Sequence, residues 1–269
     1  MLILSTFTTI NLPLKEIKNI GFIGAGNVAE NLAIRLHNSN FNIAQILSRN
    51  PDRCKRLVDL VAAENVSDLN DLDPGLDLLI IATPDDSIEK IATRMDARIP
   101  VVHTSGSVGI DALSASTHYG SVYPLQTLTS GQVDEKTVIP FLIEASSEMM
   151  EKRLVQLASA ISANVSICSS ENRRKLHLAA VIVNNFTNHL YAGAEKFCHD
   201  SNIDFNLLKP LILETARKPQ KASPASVQTG PAKRNDHLII EQHLQMLSDN
   251  EELHEIYRLL TDQIIKTTL

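Results

Sequence analysis

The amino-acid sequence predicts an α/β fold: a doubly wound, mostly parallel sheet followed by an all-helical domain. Three observations predict it. Short apolar runs alternate with helix-like patterns from residue 19 to residue 168. Between the first run and the first helical pattern stands the string Gly24-Ala25-Gly26-Asn27-Val28-Ala29. Beyond Ser170 strand signals stop and long helical patterns fill the rest. The length, 269 residues, suits two domains. We place them at 15–169 and 170–269.

The elements follow in order. Residues 20–23 are apolar and fit a buried strand, and residues 29–36 read as a helix. Residues 42–47 are a second strand, 53–63 a second helix and 64–67 a short strand. Residues 77–82 are strongly apolar, as a strand covered on both faces is. Thr83-Pro84-Asp85-Asp86 then caps a helix over 87–94. Further strands are expected at 101–103, 120–123, 141–144 and 165–168, with a helix over 148–161 between the last two. In the second domain residues 173–197 read as one long helix, and 206–216 as another, bent at Pro210. Residues 218–233 are rich in Pro, Ser, Ala and Gly and read as a loop, and 236–247 as a third helix. Ser248-Asp249-Asn250-Glu251 reads as a capping box that opens a fourth helix toward residue 265. Residues 1–14 lack a basic start and are interrupted by Thr, Asn and Pro, so they read as an extension and not as a signal peptide.

The glycine string has the context of a dinucleotide-binding turn in a Rossmann-type sheet: it follows a strand and opens a helix. Gly24 allows the tight turn, and Ala25 continues it. Gly26 lets a pyrophosphate approach the backbone. Asn27 and Val28 complete the turn beside the cofactor, the N-terminus of the helix that follows offers N–H groups to phosphate, and Ala29 is small enough for helix and strand to pack closely. About 20 residues past such glycines an NAD site carries a carboxylate for the ribose hydroxyls. Here the second strand ends in Ser48-Arg49-Asn50, with Arg53 one turn on. Arg can bind a 2′-phosphate as a fork. NADP is therefore expected rather than NAD; the plainer reading of Arg49 is a solvated loop arginine. Ala82, Thr83 and Pro84, at the end of the strongly apolar strand, should line the same cofactor, and Ser105 should bond to cofactor or substrate unless it only makes a turn.

Composition narrows the partners. The formal net charge is −6 and no basic run exceeds Arg173-Arg174-Lys175, which disfavours nucleic acid. Three cysteines (Cys54, Cys168, Cys198) show neither paired spacing nor a metal pattern, so a reducing cytoplasm and no metal are expected. No apolar run reaches the length of a membrane span. Residues 173–197 carry apolar side chains nearly all round, which one domain of about 100 residues cannot cover. A homodimer through the helical domain is expected.

Residues 19–33 resemble the N-terminal domain of pyrroline-carboxylate reductases and of deazaflavin-dependent NADP oxidoreductases. His103-Thr104-Ser105-Gly106, Tyr123-Pro124-Leu125-Gln126, His177-Leu178-Ala179-Ala180 with Asn184, and Thr229-Gly230-Pro231 with Arg234, Asp236 and His243 are similar to a narrower group. That group is the Rossmann-like NADP oxidoreductases with a helical C-terminal domain of unknown function. The resemblance implies a C-terminal domain like those of 6-phosphogluconate and β-hydroxyacid dehydrogenases, which usually dimerise. Three positions depart from the pattern. Tyr123 stands where the family usually has His, Asn235 where it usually has Gly, and Lys175 is followed four residues later by Ala179 and not by the Asn of β-hydroxyacid dehydrogenases.

The candidate chemistry sits at strand ends and on the long helix. His103 ends a strand and should face the nicotinamide half, where an imidazole can give or take a proton; alternatively it bonds to backbone. His177 and Asn184 are seven apart and share a face of an ideal helix. They either orient a substrate oxygen or form a satisfied polar pair at an interface. Arg234 can clamp a carboxylate, whereas Asp236 reads as a helix cap and His243 as an interface residue. The reading is an NADP(H)-dependent oxidoreductase that reduces a small carbonyl or imine held between the two domains. His103 and His177 would handle the proton, and Asn184 and Arg234 would orient the substrate. The alternative is a non-catalytic NADP-binding redox sensor or scaffold.

Overall fold

The computed structural model describes residues 16–131, 133–134 and 136–268; the expected extension over 1–14 lies outside them. Eight strands form one sheet: β1 (Asn19–Ile23), β2 (Asn42–Leu47), β3 (Glu64–Val66), β4 (Leu78–Ile81), β5 (Val101–His103), β6 (Tyr119–Pro124), β7 (Phe141–Ala145) and β8 (Val165–Ile167). Their order is β3-β2-β1-β4-β5-β6-β7-β8. All neighbours are parallel except β6 and β7. This is the doubly wound sheet that the alternation predicted. The strand order reverses between β1 and β4, where Ile23 pairs with Ile81.

Alternation along each strand divides the core. Ile20 and Phe22 of β1, Leu78 and Ile80 of β4, and Val102 of β5 pack on one face with α1 (Asn27–Asn38), α2 (Pro51–Val61) and α4 (Glu148–Ser159). Ile23, Leu79, Ile81 and Val101 pack on the other face with α3 (Asp85–Ala92). β1, β4 and β5 therefore bury both faces, which explains the unbroken apolar run of β4. The link from β6 to β7 returns over α1. The Ser130 hydroxyl donates to Asn27 Oδ1 at 2.9 Å, and the Gly131 amide to Glu30 Oε1 at 2.6 Å.

The first compact unit runs to Ile182 and the second begins at Val183, whereas the sequence reading divided the chain at 169/170. The reason is Arg173. It lies in α5 (Ser170–Ala180), has no exposed surface, and binds Glu144 of β7, so the first helix of the expected helical domain is tied to the sheet. The expected single long helix is three segments: α5, a π-helical stretch Val181–Phe186, and α6 (Thr187–Asp200). The second unit continues with α7 (Lys209–Arg217), α8 (His237–Met246) and α9 (Glu251–Thr268). Pro210 does not bend a helix. It occupies the first turn of α7, where its missing N–H has no partner to lose. Asp236 caps α8 as read, by accepting from the Ile239 amide. The cap of α9 is Asn250, which accepts from the Leu253 amide at 3.1 Å, and not Ser248.

Candidate functional site

The carboxyl ends of β1 and β4 flank the reversal of strand order, where ligands of open parallel sheets bind. Gly24 follows β1 with φ +110°, a conformation that side chains rarely adopt, and a Cβ there would collide with the Ala82 carbonyl oxygen. Gly26 is the N-cap of α1, and no side chain caps that helix. A Cβ on Gly26 would meet nothing within 4 Å. The turn thus leaves open space before uncapped N–H groups, which fits a pyrophosphate. Ala29 is fully buried under the turn, Val28 packs partly against the core, and Asn27 accepts from Ser130.

A groove of about 650 Å³ runs from this turn. It brings together Gly24, Ala25, Gly26, Ser48, Arg49, Asn50, Ala82, Thr83 and Pro84. Asn50 also caps α2 by accepting from the Arg53 amide at 3.0 Å. Arg53, Lys90 and Arg94 line the same groove, as does Asp68. Lys90 and Arg94 had not been assigned to the site from the sequence. They stand four apart toward the end of α3 and just beyond it, so a helix starting at Asp85 places them on one side. Among the described residues no salt bridge engages Arg49, Arg53, Lys90 or Arg94.

His103 and Ser105 are not in the groove. His103 ends β5 with no exposed surface, and its Nδ1 accepts from the Ser105 amide at 3.1 Å. Burial, and then the charge of Arg173, lower its pKa to about 4, against the weaker opposing pull of Gly109, Asp85 and Glu144. The ring is a neutral support of the following turn. The Ser105 hydroxyl accepts from the Ser107 and Val108 amides at 3.1 and 3.0 Å, and the Ser107 hydroxyl donates to Asp85 at 2.6 Å. The backbone-bonded reading of His103 and the turn-making reading of Ser105 account for these contacts.

The same loop is held from α5. Arg173 donates to Glu144 Oε2 and the Val108 carbonyl, each at 2.6 Å, and to Ser170 at 3.0 Å. Burial pulls the Glu144 pKa up, but bonds from Ser170 and Arg173 outweigh it and leave the carboxyl below its ordinary value. One turn on, His177 Nδ1 lies 3.0 Å from Tyr123 Oη. Both side chains are half-buried. The Tyr123 phenol is raised by burial, against a smaller lowering by Arg173. The sequence singled out Tyr123 only as a departure from a pattern; 54 residues separate it from its partner.

Asn184 and Arg234 belong to the second unit. Asn184 lies in the π-helical stretch, so the shared face calculated for an ideal helix does not carry from His177 to Asn184. Arg234 is exposed and ends a short 3₁₀ turn, Ala232–Arg234. Asn235 follows with φ +54°, which accounts for a position where glycine is usual and Asn is tolerated. His243 bonds to the Tyr257 hydroxyl at 2.8 Å. Among the described residues no group of three His, Cys, Asp or Glu could hold a metal ion, and no helix is long and apolar enough to cross a membrane.

Residues 19–108 match the family model for NADP oxidoreductases, coenzyme F420-dependent, and residues 139–264 match DUF2520, a domain of unknown function. A Bacteroides fragilis protein described as a putative NADP oxidoreductase is 38% identical, with 93% of this chain and 98% of that chain covered and a TM-score of 0.86. A Thermotoga maritima protein is 22% identical, with 92% and 99% covered and a TM-score of 0.76. The 1-pyrroline-5-carboxylate reductase of Streptococcus pyogenes shares the fold at 14% identity, with 93% and 97% covered and a TM-score of 0.62. No curated protein matches the chain in sequence.

Proposed function

Because the chain belongs to the NADP oxidoreductase family of the Bacteroides fragilis protein, we propose that it is an NADP(H)-dependent reductase of a small carbonyl or imine compound. The observation that carries this is the groove at the β1–β4 reversal, with its open space at Gly26 and four cations that pair with no carboxylate among the described residues. The bound cofactor supplies the hydride; the chain supplies position and electrostatics. Gly24 to Ala29 would hold the pyrophosphate, and Thr83 and Pro84 the nicotinamide side. Ser48, Arg49 and Asn50 would take the ribose 2′-phosphate, with Arg53, Lys90 and Arg94 adding positive field. His177 would handle the proton. His103 supports the loop and is dropped as a proton donor.

Selectivity for the phosphorylated cofactor tests the groove. Losing one charge-assisted contact costs about 1.5–3 kcal/mol, so Arg49→Ala is expected to weaken NADPH binding at least about tenfold and leave NADH almost unchanged. Calorimetry with both cofactors checks this; equal losses would move the Arg49 contact to a part that both cofactors share, and no loss with either would assign Arg49 to the solvent. A redox sensor would bind NADPH and oxidise it with no member of a panel of keto acids, imines and flavin-like acceptors. That result would replace the reductase reading.

A homodimer through the helical unit is part of the proposal. Its support is the apolar surface of that unit, where Val183 is 71%, Phe186 58%, Leu207 72% and Leu238 66% exposed. Light scattering at micromolar concentration is expected to give twice the 29.6 kDa of one chain. A clean monomer would remove the interface.

A further inference from the structure

We propose that Tyr123 is the proton donor of this reductase, that His177 resupplies it, and that the pair suits an aldehyde or ketone rather than a preformed iminium ion. The proposal rests on the reductase reading and narrows its substrate class.

Placement comes first. Tyr123 is the penultimate residue of β6 and lies on the same sheet face as His103 of β5. β6 is two strands from β4, about 10 Å at the usual strand spacing. The pair therefore stands on the sheet edge that carries the groove, beside the loop after β5. It is half-buried, so a substrate can reach it while bulk water is partly excluded. His103 has no exposed surface and cannot touch a substrate.

The surroundings are built around the pair. The rings meet edge to face, with centroids 5.9 Å apart and planes at 77°. Gly106 makes room for them. A Cβ there would lie 2.7 Å from His177 Cγ and Nδ1 and 2.9 Å from Tyr123 Cζ. Gly106 is not in the left-handed region, so the need for glycine is spatial. Burial keeps the phenol protonated at neutral pH, and its proton has one adjacent ring nitrogen to exchange with.

The proton balance decides the substrate class. Reduction of a carbonyl adds one hydride, which the bound cofactor supplies to carbon, and one proton at oxygen. As the C=O π pair moves onto oxygen, that oxygen takes the proton from Tyr123 Oη and the Oη–H bond breaks. The phenolate oxygen then recovers the Nδ1 proton of His177 while Nε2 takes one from solvent hydronium, so the ring ends with one N–H and solvent is the net proton source. The product is the alcohol, and the nicotinamide is oxidised by two electrons. An iminium ion already carries its positive charge on nitrogen, and hydride addition alone gives the neutral amine. A phenol–imidazole pair has no task there.

Tyr123→Phe keeps the ring and removes only the hydroxyl. The probes are butanal, 2-oxobutanoate and N-methyl-1-pyrrolinium, each with NADPH. The variant is expected to lose about 100-fold in kcat on the carbonyl probe that the wild type reduces and to stay within about threefold on the iminium. NADPH affinity should hold within about twofold. In the cofactor-free protein the ¹⁵N resonance of His177 Nδ1 is expected to move on Tyr123→Phe. Gly106→Ala, which parts the rings by another route, should reproduce the carbonyl–iminium split. An equal loss on all probes, or full carbonyl turnover by Tyr123→Phe, overturns the donor role alone. A wild type faster on the iminium overturns the carbonyl preference, and an unmoved Nδ1 resonance overturns the pair. A wild type that binds NADPH but reduces none of the three overturns the reductase reading itself.

Discussion

Replacing Arg173 with leucine is expected to destabilise the first compact unit by about 3 kcal/mol, the lower end for breaking a buried ion pair. Arg173 has no exposed surface and joins three partners: Glu144, the Val108 carbonyl and Ser170. Leucine can refill much of the volume. It leaves the Val108 carbonyl and the Glu144 carboxylate without their arginine donor. The Glu144 side chain is 20% exposed, so water can recover part of the loss, which sets the estimate at the lower end. Urea unfolding of both proteins checks this, and a difference under about 1 kcal/mol would make the pair ornamental. The pH dependence has a fixed sign. The folded Glu144 pKa is below its ordinary value of 4.5, so its contribution is present above that value and fades as pH falls through the folded pKa. The gap between wild type and Arg173→Leu should therefore narrow in acid.

Gly26→Val is expected to abolish NADPH binding in a folded protein. A Cβ at Gly26 projects into space with no protein atom within 4 Å, so the branched side chain meets only what binds there. Valine is a poorer N-cap than glycine, and the stability change should stay near about 1 kcal/mol. Gly24→Ala should behave in the opposite sense. Its Cβ is driven onto the Ala82 carbonyl oxygen at φ +110°, which costs about 1–3 kcal/mol of backbone strain before any ligand is present. Thermal unfolding and calorimetry on the two variants separate a ligand cradle from a structural turn. Retained NADPH affinity in folded Gly26→Val would reduce the whole glycine string to the latter.

The legible parts of the fold are those fixed by local chemistry. β2 covers the residues 42–47 read as a strand, and Asp236 caps α8 because an Asx cap is read within three residues. The groove at the β1–β4 reversal was legible because a strand–turn–helix motif carries its own geometry. Strand direction was not: nothing in residues 141–145 says that β7 runs against β6, since alternation is the same either way. The π-helical stretch is hidden in the same sense, because Val181 to Phe186 look like ordinary helix. The candidate proton-handling site was the least legible. Tyr123 meets His177 across 54 residues and Arg173 meets Glu144 across 29, and side-chain pairs at such distances leave no periodic trace. His103 shows the converse. Its residue type suggested chemistry, but the depth of β5 decides its charge.

The contacts from Ser130 to Asn27 and from Gly131 to Glu30 span 103 and 101 residues. A ribosome adding about 5–20 residues per second leaves roughly 5–20 s between the two ends of each contact. During that interval the first turn of α1 exists without the segment that later props it. Pairing β1 with β4 comes earlier, and closing the loop over α1 must wait for the far side of the sheet. A newly made chain thus completes the wall behind its glycine turn only after β6, and before β7, α4, β8 and α5 are added to the same unit.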